Sequence, residues 1–189
     1  MKALEYHLQQ QYNISSGDSS IICSSFRKQV LKKGDYFLQA GSICDQLCFI
    51  EEGMLRIYAQ QDDKEITQWI STRDNFITDF NAFFFRSTSR RAIQALTDTH
   101  LYTIHYSVYT ALGRQLSTWY EFEKLLIGRC FVFMEDRILD LIALPAEERY
   151  RRFFAHSPEL FNQVPLQYIA SMLGMTPETF SRIRNKRLT

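Results

Sequence analysis

The residues best suited to chemistry lie near the end of the 189-residue chain. Positions 166–184 read Leu-Gln-Tyr-Ile-Ala-Ser-Met-Leu-Gly-Met-Thr-Pro-Glu-Thr-Phe-Ser-Arg-Ile-Arg. Ala170 is small, and sits mid-way along a first helix where a second helix would cross closely. Gly174 follows four residues later, where a tight turn needs a positive φ. Ile169, Leu173, Met175, Phe180 and Ile183 supply the apolar contacts that close a small core. Thr176 suits an N-cap and Pro177 the first helical position. The spacing predicts a helix-turn-helix whose second helix runs from about Pro177 to Arg187. Such a helix sets its N-terminal residues against base edges in a major groove. Glu178 can accept from cytosine and Arg182 can bond guanine bidentately. Four residues apart, they share one helix face. Thr176, Thr179, Ser181 and Arg184 suit phosphate contacts, and Lys186 extends the basic run. The plainer reading of the same residues is a surface ion pair between Glu178 and Arg182 on a solvated helix end.

Other chemistries lack their residues. Cys23, Cys44, Cys48 and Cys130 are spaced as buried structural thiols, since no second pair or nearby His completes a zinc or cluster site. His7, His100, His105 and His156 form no H-x-H or H-E-x-x-H pattern, and no G-x-S-x-G or phosphate loop is present. The chain is therefore expected to be neither a metalloprotein nor an enzyme.

The elements that would position the terminal motif can be read upstream. Hydrophobic residues make up 46% of the chain and charged residues 23%, which suffices for a packed core. The net charge of +1 hides an asymmetry: residues 146–189 hold seven basic and four acidic residues, so they carry +3 and residues 1–145 carry −2. The N-terminus lacks the apolar core of a signal peptide and no apolar run is long enough to span a bilayer, so a soluble, cytoplasmic chain is expected. Leu4, His7, Leu8 and Gln11 recur at helix spacing until Asn13 with Ser15-Ser16-Gly17 breaks it. From about Phe26 to Ile104 short strands alternate with Gly and Asp turns, the grammar of an antiparallel barrel or jelly roll. Next, Trp119, Phe122, Leu126 and Phe133 form one apolar stripe. Ile127, Phe131, Met134, Ile138 and Leu141 form another. A helix from about Ser117 to Leu144, stopped by Pro145, would run about 40 Å. Two stripes suit a helix that packs on its own barrel and on a second copy of the chain. Phe76, Phe80, Phe83, Phe84 and Phe85 could line an apolar site, and three successive phenylalanines on one strand could not all face inward.

Taken together, a β-roll with Lys33-Gly34-Asp35, Ala40-Gly41 and Phe49-Ile50-Glu51-Glu52-Gly53, a long helix and this helix-turn-helix resemble the CRP/FNR family of bacterial transcription regulators. Ala143–Tyr150 and Thr176-Pro177-Glu178-Thr179 resemble a short subgroup of it. The resemblance implies an α+β chain in three parts. These are a cyclic-nucleotide-binding-like antiparallel β-roll over 1–116, a dimerisation helix over 117–145 that carries Trp119, Phe122, Leu126 and Phe133, and a helix-turn-helix domain over 146–189. It implies a homodimer on a palindromic operator in double-stranded DNA, with RNA polymerase as a further partner and no membrane. It places Glu178 and Arg182 at the base-reading positions.

The chain departs from the nucleotide-binding members of that family. Their Phe-Gly-Glu-Leu loop matches Phe76-Ile77-Thr78-Asp79-Phe80 here, and their phosphate-gripping Arg falls on Ser89, with Arg90 and Arg91 beside it. Their small hydroxyl contacts to adenine match Phe122 and Glu123. A carboxylate and a bulky ring oppose a cyclic phosphate, so no cofactor, and in particular no cyclic AMP or GMP, is expected. Only Leu188 and Thr189 follow the second helix, so no wing is expected after it. A rival expectation is a small-molecule or protein-binding module whose helix-turn-helix is vestigial.

Overall fold

The structure, a computed structural model, describes residues 1–186. Two helices open the chain, α1 (Lys2–Tyr12) and α2 (Ser16–Ser24). Six strands follow: β1 (Arg27–Leu31), β2 (Tyr36–Leu38), β3 (Gln46–Glu52), β4 (Leu55–Gln61), β5 (Lys64–Ser71) and β6 (Phe76–Ile77). A short helix α3 (Phe80–Phe85) leads to β7 (Ala92–Ala95) and β8 (Thr99–His105). The remainder is helical: α4 (Tyr106–Gln115), α5 (Ser117–Ala143), α6 (Ala146–His156), α7 (Leu160–Gln163), α8 (Leu166–Met172) and α9 (Pro177–Asn185).

The strands form two four-stranded sheets, ordered β1-β8-β3-β6 and β2-β7-β4-β5, with every pairing antiparallel. They enclose one apolar core. Leu47, Cys48, Phe49 and Ile50 are all buried, because β3 is covered by the opposite sheet on one face and by α1 on the other. The turn from β3 to β4 needs its glycine. Gly53 sits at φ +98°, and a Cβ there would come within 2.5 Å of Thr99 Oγ1. From α5, Trp119, Phe122 and Leu126 enter the same core.

Helix α1 ends where the sequence breaks it, with Asn13 in the left-handed region at φ 54° after Tyr12. A second helix, not expected from the sequence, opens directly afterwards, capped by Ser15, which accepts from the Asp18 N–H at 3.1 Å. The phenylalanine run is not a strand but helix α3, whose roughly 100° step buries Phe83 and leaves Phe85 79% exposed. Helix α4, capped by His105, carries no boundary signal in the sequence, because its turn falls directly after a strand without a Gly or Pro.

A second core holds the C-terminal helices. Tyr150, Phe161 and Phe180 pack edge-to-face or stacked at 5.3–5.9 Å between ring centroids, and Met54, Ile70 and Leu96 of the β-roll join them. The seam between roll and helices is polar at its edge. Strand β5 is the last of its sheet, and its Thr67 N–H donates to Ser171 Oγ of α8 at 2.9 Å. Arg137 of α5 donates to Gln68 O at 2.7 Å and to Met172 O at 3.1 Å. Arg56 of β4 is fully buried, paired with Glu65 at 2.6 Å and sandwiched between the rings of Tyr58 and Tyr168. Among the described residues, no helix is long and apolar enough to cross a membrane.

Candidate functional site

Helices α8 and α9 meet as the spacing requires. Ala170 and Ile169 are wholly buried, and the Met175 N–H donates to Ala170 O at 2.9 Å across the turn. Gly174 holds φ +66°, and a Cβ there would stand 3.1 Å from Leu141. Thr176 Oγ1 accepts from the Thr179 N–H at 3.2 Å, and Pro177 opens the helix. Phe180 and Ile183 point inward.

Consequently the opposite face of α9 is free of the core. Glu178, Ser181, Arg182, Asn185 and Lys186 are exposed along it and line a shallow open groove with Pro177. Thr176 is exposed at its head, whereas Thr179 and Arg184 are half-buried at its margins. Among the described residues no ion pair joins Glu178 to Arg182. The Glu178 carboxyl is instead held below the usual carboxylate range by its own backbone N–H and the Thr176 hydroxyl. Arg187, and the tail on which the expectation of a missing wing turns, lie outside the described residues.

Arg149, Arg151 and Arg152 of α6 are engaged within the chain. Arg149 donates to Leu144 O at 2.6 Å, to Leu173 O at 2.8 Å and to Gly174 O at 3.3 Å, so it pins the turn between the helices to the end of α5. Sequence reasoning counts it only as charge, and nothing local signals a guanidinium that collects three carbonyls. Arg151 and Arg152 pair with Glu148, and Arg152 also with Asp140.

On α5 the first stripe needs correction as a partner-facing surface. Trp119, Phe122 and Leu126 are 1–3% exposed inside the chain's own core, and Phe133 packs on Trp69 with centroids 4.6 Å apart. The outward face carries Phe131, Val132, Leu139 and Ile142, at 63, 56, 62 and 80% exposure. These exposed apolar side chains lie on one face of the helix.

The residues aligned with a nucleotide cradle form a closed network. Asp79 is buried and caps α3, its Oδ1 accepting from the Asn81 and Ala82 N–H groups at 3.2 and 3.4 Å. Ser89 donates to Asp79 Oδ2 at 2.6 Å and Arg91 to Oδ1 at 3.0 Å. A cyclic phosphate would need these same donors, and the carboxylate already holds them, so the residues present do not fit it. Arg90 is exposed apart from this network, and Thr78 is tied to Gln46 O and the Cys44 thiol. Phe122 packs against Tyr12 and Phe76 in the core, and Glu123 accepts from the Tyr109 hydroxyl.

A cavity of about 560 Å³ lies between the roll and α5. Of the residues expected at an effector site it takes in Phe76, Thr78, Asp79, Phe80 and Arg91, but not Ser89, Arg90, Phe122 or Glu123. Its remaining walls come from α1, β5, α5 and the C-terminal helices, elements too distant in sequence for any spacing to connect. Among the described residues, no group of three or more His, Cys, Asp or Glu side chains could hold a metal ion. The four cysteines are unbridged, and burial pushes the Cys23 thiol up to about 11.

Comparison with known proteins places this architecture. Residues 28–115 match the family model of the cyclic nucleotide-binding domain. No curated protein matches the chain. Among solved structures, a mutant of CooA from Carboxydothermus hydrogenoformans is 20% identical with a TM-score of 0.69, covering 95% of this chain and 83% of that one. FixK2 from Bradyrhizobium japonicum is 16% identical with a TM-score of 0.73, over 85% and 83%. A putative transcriptional regulator of the CRP/FNR family from Eubacterium rectale is 18% identical with a TM-score of 0.71, over 97% and 88%. By contrast, a cAMP-bound PfPKA-R fragment, at 18% identity and a TM-score of 0.53, matches over 59% of this chain and only 40% of its own length. The roll, the long helix and the terminal helices share their fold with these structures, and residues 28–115 match the cyclic nucleotide-binding domain.

Proposed function

We propose that the protein is a homodimeric, sequence-specific DNA-binding transcription regulator that does not answer to cyclic nucleotides. In this reading 1–116 is the sensor roll, 117–145 the dimerisation helix and 146–189 a helix-turn-helix domain. The observation that carries it is the exposed face of α9, where Glu178 and Arg182 stand separate and solvent-facing above a buried Phe180 and Ile183. A guanidinium and a carboxylate that do not pair with each other on an exposed helix face could meet a guanine and a cytosine edge. Thr176, Thr179, Ser181, Arg184 and Lys186 border that face and suit phosphates. The outward stripe of α5 supports pairing with a second copy. Two such copies would set two α9 helices against half-sites about 34 Å apart.

The CRP/FNR-type neighbours support the DNA reading by fold. The Asp79 network supports the lack of a nucleotide response, since its donors are already taken. The test is selection from random duplex DNA by the purified protein at ~150 mM salt without added ligand, a salt level that suppresses weak electrostatic binding. An enriched palindrome, unchanged in affinity by cyclic AMP, is expected. Binding equal to that of generic duplex would instead favour a sensor module with a vestigial helix-turn-helix.

A further inference from the structure

Among the largest fully buried side chains one is charged. Arg56 of β4 is 1% exposed, donates from Nη1 to Glu65 at 2.6 Å and from Nε to Thr67 Oγ1 at 3.0 Å. Its guanidinium carbon lies 4.2 Å from the ring centroid of Tyr58 and 3.6 Å from that of Tyr168, near the start of α8. A buried cation of this kind adds little net stability, because desolvation offsets much of its attraction. What it adds is direction. Apolar burial tolerates sliding, whereas a planar guanidinium with fixed hydrogen bonds takes a stacked ring in one plane.

A second cation acts at the other end of α8. Arg137 of α5 joins Gln68 O of β5 to Met172 O, with its guanidinium carbon 4.8 Å from the Trp69 ring centroid. Between the two cations, Ser171 accepts the Thr67 N–H. The covalent chain imposes none of this. Only Leu144 and Pro145 join α5 to α6, and Leu144 is extended at φ −100° and ψ 138°. So short a link, without contacts of its own, is free to pivot. The direction of α9 then follows that of α8, because the Gly174 turn holds the two helices over one core.

We propose that Arg56, Tyr168 and Arg137 are positioning residues. By fixing α8 on the roll they set which separation between two DNA half-sites the protein accepts, although none of them touches DNA. The inference rests on the regulator reading above, in which two copies of the chain present two α9 helices to one duplex.

The test takes the half-sites enriched by the full wild-type chain and varies only the number of base pairs between them. Wild type should favour one spacing. Arg56→Met and Tyr168→Leu keep apolar volume while removing the cation or its stacking face. Each should lower the preference for that spacing over its neighbours about fivefold, the worth of one directed contact, with the bases chosen inside each half-site unchanged. Tyr168→Phe keeps the ring and should keep the preference. Arg56→Lys lacks the planar face and should not. A merely structural defect would weaken binding at every spacing alike, so an unchanged ratio in the variants that fold would overturn the proposal. If Arg56→Met does not fold, Tyr168→Leu reads the same contact from the other side.

A second readout needs no DNA. Trp69 packs on Phe133 of α5 and Phe153 of α6, so its fluorescence follows the docking of these helices on the roll. Trp119→Phe leaves Trp69 as the sole tryptophan and removes no hydrogen bond, since Trp119 Nε1 makes none. In that background Tyr168→Leu should raise acrylamide quenching and shift emission to the red, and unchanged quenching would also overturn the proposal. A wild-type chain that selects no half-sites would retire the regulator reading together with this role. Failure of the role alone is a wild-type chain that selects half-sites beside variants that keep its spacing ratio.

Discussion

Helices α3 and α9 begin in nearly the same way and end up with opposite capacities. Each is capped by a side-chain oxygen that accepts from backbone N–H groups of its first turn. At α3 the cap is a buried carboxylate, Asp79, which draws Ser89 and Arg91 onto itself and leaves the helix end no donor to offer. At α9 the cap is an exposed hydroxyl, Thr176, which carries no charge to collect partners, and Arg182 stays available further along the helix. The difference teaches that the charge and burial of the capping group decide whether a helix start is closed by its neighbours or left open to solvent.

That contrast can be broken at either end. The largest effect is expected from Asp79→Ala. It strands a half-exposed guanidinium and removes the cap of α3, while Ser89 keeps its bonds to the Arg91 backbone, and should cost about 2–4 kcal/mol by urea denaturation, below the full penalty for a wholly buried pair. A loss under about 1 kcal/mol would mean that the carboxylate does not hold the cradle shut. Arg182→Ala should cost roughly 1–3 kcal/mol on the selected site and relax its sequence preference, while leaving stability within about 0.5 kcal/mol. Unchanged specific binding in a quantitative mobility-shift assay would remove Arg182 from base reading. Thr176→Ala should lower stability by about 1 kcal/mol, with Thr176→Ser close to wild type, as thermal unfolding would report. Smallest is Lys186→Ala, which should weaken binding to all duplexes alike and reduce the slope of log K against log salt by about 1. A sequence-dependent loss there would promote Lys186 from phosphate contact to base contact.

The α9 surface was legible in the sequence because its requirements are local. A small residue at 170, a glycine at 174, a cap at 176 and apolar residues at 180 and 183 fall within one short stretch, and the turn chemistry and helix period agree. The long helix and most strands were legible for the same reason. Closure of the cradle was legible only in part: the carboxylate at 79 gave warning, but that Ser89 and Arg91 both turn toward it depends on how β7 meets the start of α3. The cavity was out of reach. Trp69, Ser71, Arg129 and Leu160 are neighbours only after the roll, α5 and the C-terminal helices have packed. The two stripes of α5 were visible as a period, but which one faces home depends on the roll it meets.

The polar seam along β5 has a mechanical consequence. As the last strand of its sheet, β5 would present unpaired backbone groups to water, and a bare edge is a template for pairing with other chains. Ser171 and Arg137 cover Thr67 and Gln68, and Tyr168 closes over Arg56. The helices that would read DNA therefore also serve as the guard rail of the roll. Lifting them away would bare a sticky edge and unstack a buried cation in the same movement.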